Sequence, residues 1–376
     1  MQNLKLNSNI ISGKNELHQL IKYLDDNNFK NVFLIYDANL FINNKYFNNF
    51  INKNKFFLKD EYSYHFEPSY ELLNKKINYY KSLKKIKKVD VIVAIGGGST
   101  IDFAKGIAIL LKNLNKSPLS LRGFPKNYKT PLPVIAIPST CGTGSEVAFN
   151  ASFIHEKNKS KLGINVYENY PILAILDPLL IKGSPKKVMY SSTMDTLVHT
   201  LEGFISVKSS THSRLFSKKA FKLFHSNIFK IINDKYDEDD LSNLQWSSSY
   251  AMMGMSNASH GLSGALSYYL GTHYQLSHGI AGAIFLHKIN YLNHSKGYYD
   301  LGLLIDNNKI SLKNRSKQVL DFIEKIINIF LLEFQLKDIY SLLKFDKNLN
   351  MFIDTIKPVF ALNPVKLTKK DISSIL

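Results

Sequence analysis

An aspartate and a histidine four residues apart, Asp195 and His199, are the first candidates for chemistry in this chain of 376 residues. On a helix this spacing puts both side chains on one face, where a carboxylate and an imidazole can bind a divalent metal such as Zn²⁺ or Fe²⁺. Glu202 follows one turn later. The alternative is structural: a hydrogen-bonded pair on a helix, or an aspartate near a helix start beside a buried histidine.

Further histidines follow in the segment 257–279, NASHGLSGALSYYLGTHYQLSHG, among small and aromatic residues. They are His260, His273 and His278. Histidines on neighbouring helices could complete a metal site with Asp195 and His199.

A glycine-rich turn is the second candidate. The run VIVAIGGGSTIDFAK, from Val91 to Lys105, reads as a buried strand, a turn and a helix. We expect Gly96, Gly97 and Gly98 to be required because the backbone takes positive φ and comes close to a ligand. The N–H groups of such a turn favour an anion, typically a phosphate or pyrophosphate. The alternative is an ordinary tight turn between strand and helix.

A second loop, IPSTCGTGSE from Ile137 to Glu146, follows another predicted strand. Its hydroxyl groups could contact phosphate, ribose or the nicotinamide amide, or could simply cap their own turn. The residues concerned are Ser139, Thr140, Thr143 and Ser145. Two such loops at neighbouring strand ends lie on one edge of a sheet, where α/β proteins bind ligands. Together they predict nucleotide binding.

The elements around these motifs predict two domains. Apolar runs within 4–12, 31–36, 56–67, 91–96 and 133–138 alternate with helical patterns, which favours a parallel sheet. Asp37, at the end of the second run, is predicted either to bind a ribose hydroxyl or to cap the next helix. From about Ser184 long amphipathic stretches predict an all-helical part. We therefore predict domains at 1–178 and 179–376.

Composition narrows the class of protein. The formal net charge of +18 favours anionic partners or nucleic acid, but the lysines are scattered and no nucleic-acid-binding motif is present. The lysine-rich run at 81–88 is interpreted as a solvated helix end or, alternatively, a binding patch. A single cysteine, Cys141, excludes an internal disulfide and a multi-cysteine metal site. With a polar N-terminus and no run long enough for a membrane span, a cytoplasmic protein is expected.

Together these motifs resemble the iron-containing alcohol dehydrogenase family of the dehydroquinate synthase-like superfamily. They occur in the family's order: GGGSTIDFAK, PSTCGTGSE, TMDTLVHTLE, SHGIAGAIF and NPVKLTKKDISSIL. The resemblance covers nearly the whole chain. It implies an α/β N-terminal dinucleotide-binding domain, an all-α C-terminal domain, an active site in the cleft between them, and NAD(P)-dependent interconversion of an alcohol with an aldehyde or ketone. Relatives are often dimers or larger.

The resemblance also assigns residues. Asp37 matches the acidic residue at the adenosine ribose, which favours NAD over NADP. The pyrophosphate turn corresponds to Gly97, Gly98 and Ser99, and the loop around phosphate and nicotinamide to Thr140, Thr143 and Ser145. Gly96 and Ser139 are further candidates for cofactor binding. Asp102, in the D-x-x-K sequence that follows the GGGS turn, is assigned to both cofactor binding and catalysis. Asp195, His199 and His278 match three of the four usual ligands of iron or zinc.

The fourth ligand is where this chain departs from the family. Counting back from His278 places the usual histidine on Gly264, which has no donor atom. Water could fill the open position, or His260, one turn earlier on a continuous helix, could substitute; otherwise the site is metal-free. A tyrosine at residue 268 with a preceding serine is similar to the pattern in one branch of the family. Enzymes of that branch oxidise the terminal hydroxyl of 3-deoxy-octulosonic acid. A carboxylated sugar as substrate agrees with the positive charge.

The resemblance implies a mechanism in which the metal acts as a Lewis acid during hydride transfer between nicotinamide and a carbinol carbon. Tyr268 or His273 would relay the proton. Four alternatives are open: a metal-free reductase, a catalytically silent nucleotide-binding homologue, a dehydroquinate synthase-like lyase, and, on charge alone, a nucleic-acid binder.

Overall fold

A computed structural model describes residues 4–6, 8–63 and 67–375. Parts of the predicted segments 4–12 and 56–67 lie outside these residues. The chain forms two compact units. One contains Leu6–Ser184 together with Lys230–Ser249, and the other contains Pro185–Phe229 together with Tyr250–Leu376. The predicted boundary at 178/179 divides the chain only once, and it remains a prediction.

A parallel sheet of six strands forms the centre of the first unit. Its strands are β1 (Asn9–Ser12), β2 (Val32–Asp37), β3 (Leu58–Tyr62), β4 (Val91–Gly96), β5 (Val134–Pro138) and β10 (Leu173–Leu176). They lie in the order β1-β10-β5-β4-β2-β3, and every pair is parallel. Four two-residue strands form two small antiparallel ribbons: β6 (Asn150–Ala151), β7 (Ile154–His155), β8 (Ser160–Lys161) and β9 (Ile164–Asn165).

Both faces of the sheet are covered, which explains why its central strands read as unbroken apolar runs. Along β4, Ile92 and Ala94 face one hydrophobic core, while Val93 and Ile95 face the other. The covering helices are α1 (Gln19–Asp26), α2 (Ala38–Asn43), α3 (Lys45–Lys53), α4 (Tyr70–Ser82) and α5 (Gly98–Lys112). The lysine-rich run after α4 continues as a short 3₁₀ turn, Lys84–Lys88.

The other unit is helical, as predicted. Its long helices include α6 (Lys186–Ile205), α9 (Leu262–His273), α10 (His278–Ser295) and α11 (Leu312–Glu333). Helices α7 (Thr211–Ile232) and α8 (Glu238–Ser256) belong to it only in part, because residues 230–249 are in the first unit. Short helices follow: α12 (Ile339–Lys344), α13 (Lys347–Thr355), α14 (Lys357–Phe360) and α15 (Lys369–Ser373). Helix α10 packs against both α6 and α9. Nearly every side chain of α6 from Thr193 to Ile205 is buried, so α6 is the central helix of this unit.

Between β2 and β4 the order in which the chain adds strands to the sheet reverses. The chain passes from β2 outwards to β3 and from β4 the opposite way to β5. Open α/β sheets bind ligands at such a point, outside the carboxyl ends of the strands. Asp37 ends β2 and Gly96 ends β4. The fold therefore places two of the predicted cofactor residues where a nucleotide site is expected.

The reason for the three glycines differs from our expectation. None of Gly96, Gly97 and Gly98 has positive φ. The requirement is instead steric, because a Cβ atom on Gly98 would stand 2.8 Å from Cβ of Thr143 and closer still to its Cγ2. A Cβ atom on Gly96 would stand 2.9 Å from Cβ of Asp37. Strand and helix can approach the neighbouring loops this closely only without side chains. Positive φ occurs instead in the second loop, at Gly144.

Within the described part of the chain, none of the helices has both the length and the apolar character needed to cross a membrane.

Candidate functional site

Helix α6 carries one half of the candidate metal site. Asp195 and His199 lie one turn apart on it and are almost completely buried, with 3% and 4% of their surface exposed. His199 Nε2 lies 3.4 Å from Asp195 Oδ1. The predicted shared face is therefore present, and it points into the protein interior.

Helix α10 supplies the third group. His278 is its first residue, and its Nε2 lies 3.9 Å from the same Asp195 Oδ1. A hydrogen bond of 2.6 Å between the hydroxyls of Ser191 and Ser277 ties the start of α10 to α6. One ligand atom from each of Asp195, His199 and His278 lies within 4.8 Å of the other two. Residues separated by almost eighty positions in sequence are thus brought together.

This set fits a divalent metal. One carboxylate oxygen and two imidazole nitrogens suit zinc and also Fe²⁺, and donors each about 2.1 Å from an ion stand roughly 3–3.5 Å apart. Two of the three donor separations, 3.4 and 3.9 Å, are close to that range, and all three lie within 4.8 Å. Small side-chain movements would therefore close the three donors around one ion.

The two predicted nucleotide loops are neighbours in the other unit. Gly96 and Pro138 are paired in the sheet, and the Ser139 N–H donates to Gly96 O at 2.9 Å. Helix α5 begins directly after Gly97, and among the described residues no side chain caps it there. Its first N–H groups are suited to an anion. The half-buried members of the two loops are Gly97, Ser99, Thr140 and Thr143, whereas Gly98, Ser139 and Ser145 are buried.

Asp37 caps a helix, which is one of its two predicted roles. Its Oδ1 accepts hydrogen bonds from the N–H groups of Asn39 and Leu40 at 2.8 and 3.3 Å, at the start of α2. A carboxylate has two oxygens, so the cap does not exclude a ribose contact. The ribose role stays a prediction.

Asp102 belongs to a buried network that holds the second loop. Its carboxylate accepts hydrogen bonds from the Ser145 hydroxyl at 2.9 Å and the Ser152 N–H at 2.8 Å. Burial raises the pKa of Asp102, against the opposing effect of Lys105. The observed contacts of Asp102, and of the Ser145 hydroxyl, are thus with the protein itself. Direct roles for these two residues at the cofactor stay predictions.

Lys105 is fully buried within the same network. Its ammonium group donates to the carbonyl oxygens of Ser145, Ala148 and Asn150 at 2.6, 2.7 and 3.2 Å. Burial lowers the pKa of Lys105 to about 8, although the carboxylates of Asp102 and Glu146 favour its charged form. Lys105 therefore fixes the path of the chain beyond the loop. The D-x-x-K motif drew attention to Asp102 and Lys105. It did not indicate that Lys105 binds the backbone beyond the second loop.

Two domains of one protein family match nearly the whole chain. Residues 7–178 match the iron-containing alcohol dehydrogenase domain, and residues 189–376 match the C-terminal domain of the same family. The chain belongs to the iron-containing alcohol dehydrogenase family. The predicted family, and its class as an alcohol oxidoreductase family, are confirmed.

Individual curated relatives share about a third of the aligned residues or less with this chain. A 4-hydroxybutyrate dehydrogenase from Clostridium kluyveri is 34% identical over 254 residues, which cover 65% of this chain and 64% of that protein. Alignments with the leading curated relatives cover only 51% to 64% of their lengths.

Solved structures extend the likeness to the whole fold. A 1,3-propanediol oxidoreductase has a TM-score of 0.86 at 21% identity, covering 100% of this chain and 98% of its own. A sulfoacetaldehyde reductase from Bifidobacterium kashiwanohense, in complex with NAD⁺, has a TM-score of 0.83 at 19% identity, covering 100% and 97%. At these identities the likeness concerns the fold alone, and it confirms the predicted dehydroquinate synthase-like architecture.

Gly264, on which the resemblance places the family's usual fourth ligand, is hydrogen-bonded to a carboxylate from another helix. Glu202, on α6, accepts hydrogen bonds from the N–H groups of Gly261 and Gly264 at 2.9 and 2.8 Å. A Cβ atom on Gly264 would stand 2.9 Å from Glu202 Oε2. Burial raises the pKa of Glu202 to about 7; the N–H groups of α9 oppose this rise and Asp195 adds to it. The helical spacing of Asp195, His199 and Glu202 predicted that they share one face of α6. It did not indicate that Glu202 binds the start of α9.

One premise for His260 as the substitute ligand is absent from the structure, and the role itself stays a prediction. That suggestion required a continuous helix from His260 to Gly264, whereas α9 begins only at Leu262 and Gly261 precedes it as the N-cap. His260 is exposed in the loop before α9 and is not a member of the metal-competent group.

The two candidates for proton relay differ in position. The Tyr268 ring stacks on the His278 ring, with 5.6 Å between centroids and 22° between planes. His273 is exposed and stacks instead on Tyr269 at 4.1 Å. Five residues on a helix correspond to a rotation of about 140° from Tyr268 to His273. Tyr268 therefore lies beside the metal-competent group and His273 faces elsewhere.

Proposed function

We propose that this protein is an NAD-dependent oxidoreductase that interconverts an alcohol with an aldehyde or ketone, using a divalent metal. The cluster of Asp195, His199 and His278 carries the proposal, because a buried carboxylate with two imidazoles is a metal-binding arrangement and not a packing solution for an apolar core. Membership of the family supports the same activity.

For the metal, the proposal assigns all three protein ligands to the helical unit. A bound iron or zinc ion supplies Lewis-acid chemistry that polarises the substrate oxygen. Asp195, His199 and His278 would hold the ion, and water could complete its coordination because Gly264 has no donor atom. Tyr268 holds the transferable proton at its Oη, because its ring is packed against His278 whereas His273 faces away.

For the cofactor, the proposal assigns the turn at Gly96, Gly97, Gly98 and Ser99 to the pyrophosphate and the loop with Thr140 and Thr143 to phosphate and nicotinamide. The absence of a side-chain cap on α5 among the described residues supports this assignment, as does the NAD⁺ complex of the sulfoacetaldehyde reductase. NAD is preferred over NADP, because the Asp37 carboxylate would repel a 2′-phosphate. We propose residues 1–178 as the dinucleotide-binding domain and residues 179–376 as the metal and substrate domain.

For the substrate, we propose a small polar or anionic compound, such as a sugar acid or a phosphorylated or phosphonate compound. The net charge of +18 favours an anion. Two of the relatives are named for anionic substrates, 4-hydroxybutyrate and sulfoacetaldehyde, although a third is named for the neutral 1,3-propanediol. The chain is proposed to act as a homodimer or larger assembly, which light scattering of the purified protein would establish.

The test combines metal content with turnover. We expect about one equivalent of iron or zinc in the purified protein, and its loss together with activity in Asp195→Ala. The matched control is Asp321→Ala, since Asp321 is an exposed aspartate paired with Lys317 on α11. Oxidation of NADH should be faster with 4-oxobutyrate or a sugar-acid aldehyde than with the neutral four-carbon butanal.

Three outcomes would contradict the proposal. Turnover that survives complete removal of metal would indicate a metal-free reductase. Nucleotide binding without turnover of any alcohol or aldehyde would indicate a silent homologue. Product formation without net change in NADH would indicate a lyase.

A further inference from the structure

Ser267 forms a hydrogen-bonded link between the first turn of α9 and the candidate metal site. It is 1% exposed, and it lies one turn after Gly264 on the same helix. Its hydroxyl is 2.6 Å from Gly264 O and 2.9 Å from His278 Nδ1. Both distances are those of real hydrogen bonds, so one buried hydroxyl serves two partners.

The chemistry of the partners determines where the hydrogens lie. A carbonyl oxygen can only accept, so the single hydrogen of the Ser267 hydroxyl points to Gly264 O. The bond to His278 then requires the imidazole to donate from Nδ1 to the hydroxyl oxygen. In a neutral imidazole with its hydrogen on Nδ1, the lone pair is on Nε2.

We propose that Ser267 is a positioning residue that holds His278 in the tautomer able to bind the metal through Nε2. This inference rests on the proposed function, since it concerns the same ion. Nε2 is the nitrogen that lies 3.9 Å from Asp195 Oδ1, on the side of the other two donors. Partners that fix the second nitrogen of a metal-binding histidine also fix the orientation of its ring.

The position of Ser267 is itself set by Glu202. The Gly264 N–H donates to Glu202 Oε1, and the carbonyl of the same residue accepts from Ser267. Glu202 is on α6, the helix that also carries Asp195 and His199. A chain of hydrogen bonds therefore runs from α6 through Gly264 and Ser267 to His278, and it aligns ligands that come from two different helices.

The experiment measures the affinity of the metal-free full-length protein for Zn²⁺ by titration against a chelating indicator, and its Co²⁺ absorption spectrum. We expect Ser267→Ala to weaken Zn²⁺ binding about 10- to 100-fold. Ser267→Thr keeps the hydroxyl and should restore affinity to within about threefold of the original protein. The Co²⁺ spectrum should change in the alanine variant and be recovered in the threonine variant.

Thr272→Ala is the matched control, because the Thr272 hydroxyl also bonds to a backbone carbonyl of α9, that of Tyr268 at 2.9 Å. It should leave Zn²⁺ affinity unchanged. Thermal unfolding of the metal-free proteins separates positioning from folding, since positioning predicts an affinity loss larger than any loss of stability. Equal affinity in Ser267→Ala and the original protein would overturn the inference while leaving the proposed function intact. Failure of the original protein to bind metal would instead refute the proposed metal site.

Discussion

Gly279 lies against the backbone of Ser191, so close that a Cβ atom on the glycine would overlap the serine carbonyl oxygen. The same Cβ atom would stand 2.7 Å from the Asp195 backbone nitrogen. This contact lets the first turn of α10 approach α6 and brings His278 to Asp195. The glycine after the histidine therefore helps to form the candidate metal site, although it has no donor atom.

Gly279→Ala should accordingly lower the free energy of unfolding by about 3 kcal/mol or more, at the upper end of what overpacking costs. It should also weaken metal binding, because α10 must move away from α6. Chemical denaturation and metal titration would measure the two effects. Gly271→Ala is the control: its nearest neighbour would be Leu276 O at 3.6 Å, so it should be neutral or stabilise by up to about 1 kcal/mol. Equal behaviour of the two variants would contradict the steric explanation.

The glycine turn offers a second paired test. Gly98→Ala must displace Thr143, so it should lower the free energy of unfolding by about 1–3 kcal/mol and also weaken NAD⁺ binding. At Gly97 the nearest atom to an added Cβ is Thr140 Cγ2 at 3.4 Å, which the fold tolerates. Gly97→Ala should therefore change stability by less than about 0.5 kcal/mol and still weaken NAD⁺ binding tenfold or more, because the methyl group occupies ligand space. If calorimetry gives Gly97→Ala the same NAD⁺ affinity as the original protein, the pyrophosphate does not bind at this turn.

The buried ammonium of Lys105 predicts a large loss of stability on removal. Lys105→Met leaves the Asp102 carboxylate without its cation and three carbonyl oxygens without their donor, which should cost about 3–5 kcal/mol in urea denaturation. Lys112→Met, at the exposed end of the same helix, should lie within about 0.5 kcal/mol of the original protein. Similar losses in both variants would show that the network contributes little.

Glu202 predicts a dependence of stability on pH in the metal-free protein. Its pKa is raised by burial from 4.5 to about 7, so between these values the folded state binds more protons than the unfolded state. The contribution of Glu202 to stability is therefore complete below about pH 4.5 and falls as the pH rises through 7. In denaturation at several pH values, the stability of the original protein minus that of Glu202→Gln should decrease over this range. A pH-independent difference would contradict the raised pKa.

Much of this protein could be predicted from local patterns. Apolar runs identified the strands Val32–Asp37, Val91–Gly96 and Val134–Pro138, and the 3.6-residue period identified the long helices. The strand Leu173–Leu176 was not predicted, because four apolar residues carry too little periodicity to distinguish a strand. The pairing of Asp195 with His199 followed from helical spacing alone, because i and i+4 share a face whatever surrounds them.

Contacts between distant segments could not be predicted in this way. The sequence indicated glycines at 96–98 and at 279, yet the reason for each, a neighbouring loop or helix within touching distance, exists only in the folded chain. The argument for His260 as a ligand assumed a helix that continues through this residue, whereas α9 begins two residues later. Ser267 and Glu202 gave no signal of their partners, because a hydroxyl or carboxylate acquires its role from what packs against it.

The sequence by itself determined the family, the order of the elements and the residue types available for chemistry, because these depend on composition and local spacing. Only the tertiary structure decided which side chains meet. It brought His278 to Asp195 and His199, and it turned His273 away from this group. It also placed the Glu202 carboxylate against the backbone of Gly264. Such choices depend on the packing distance between helices, a quantity that no single segment encodes.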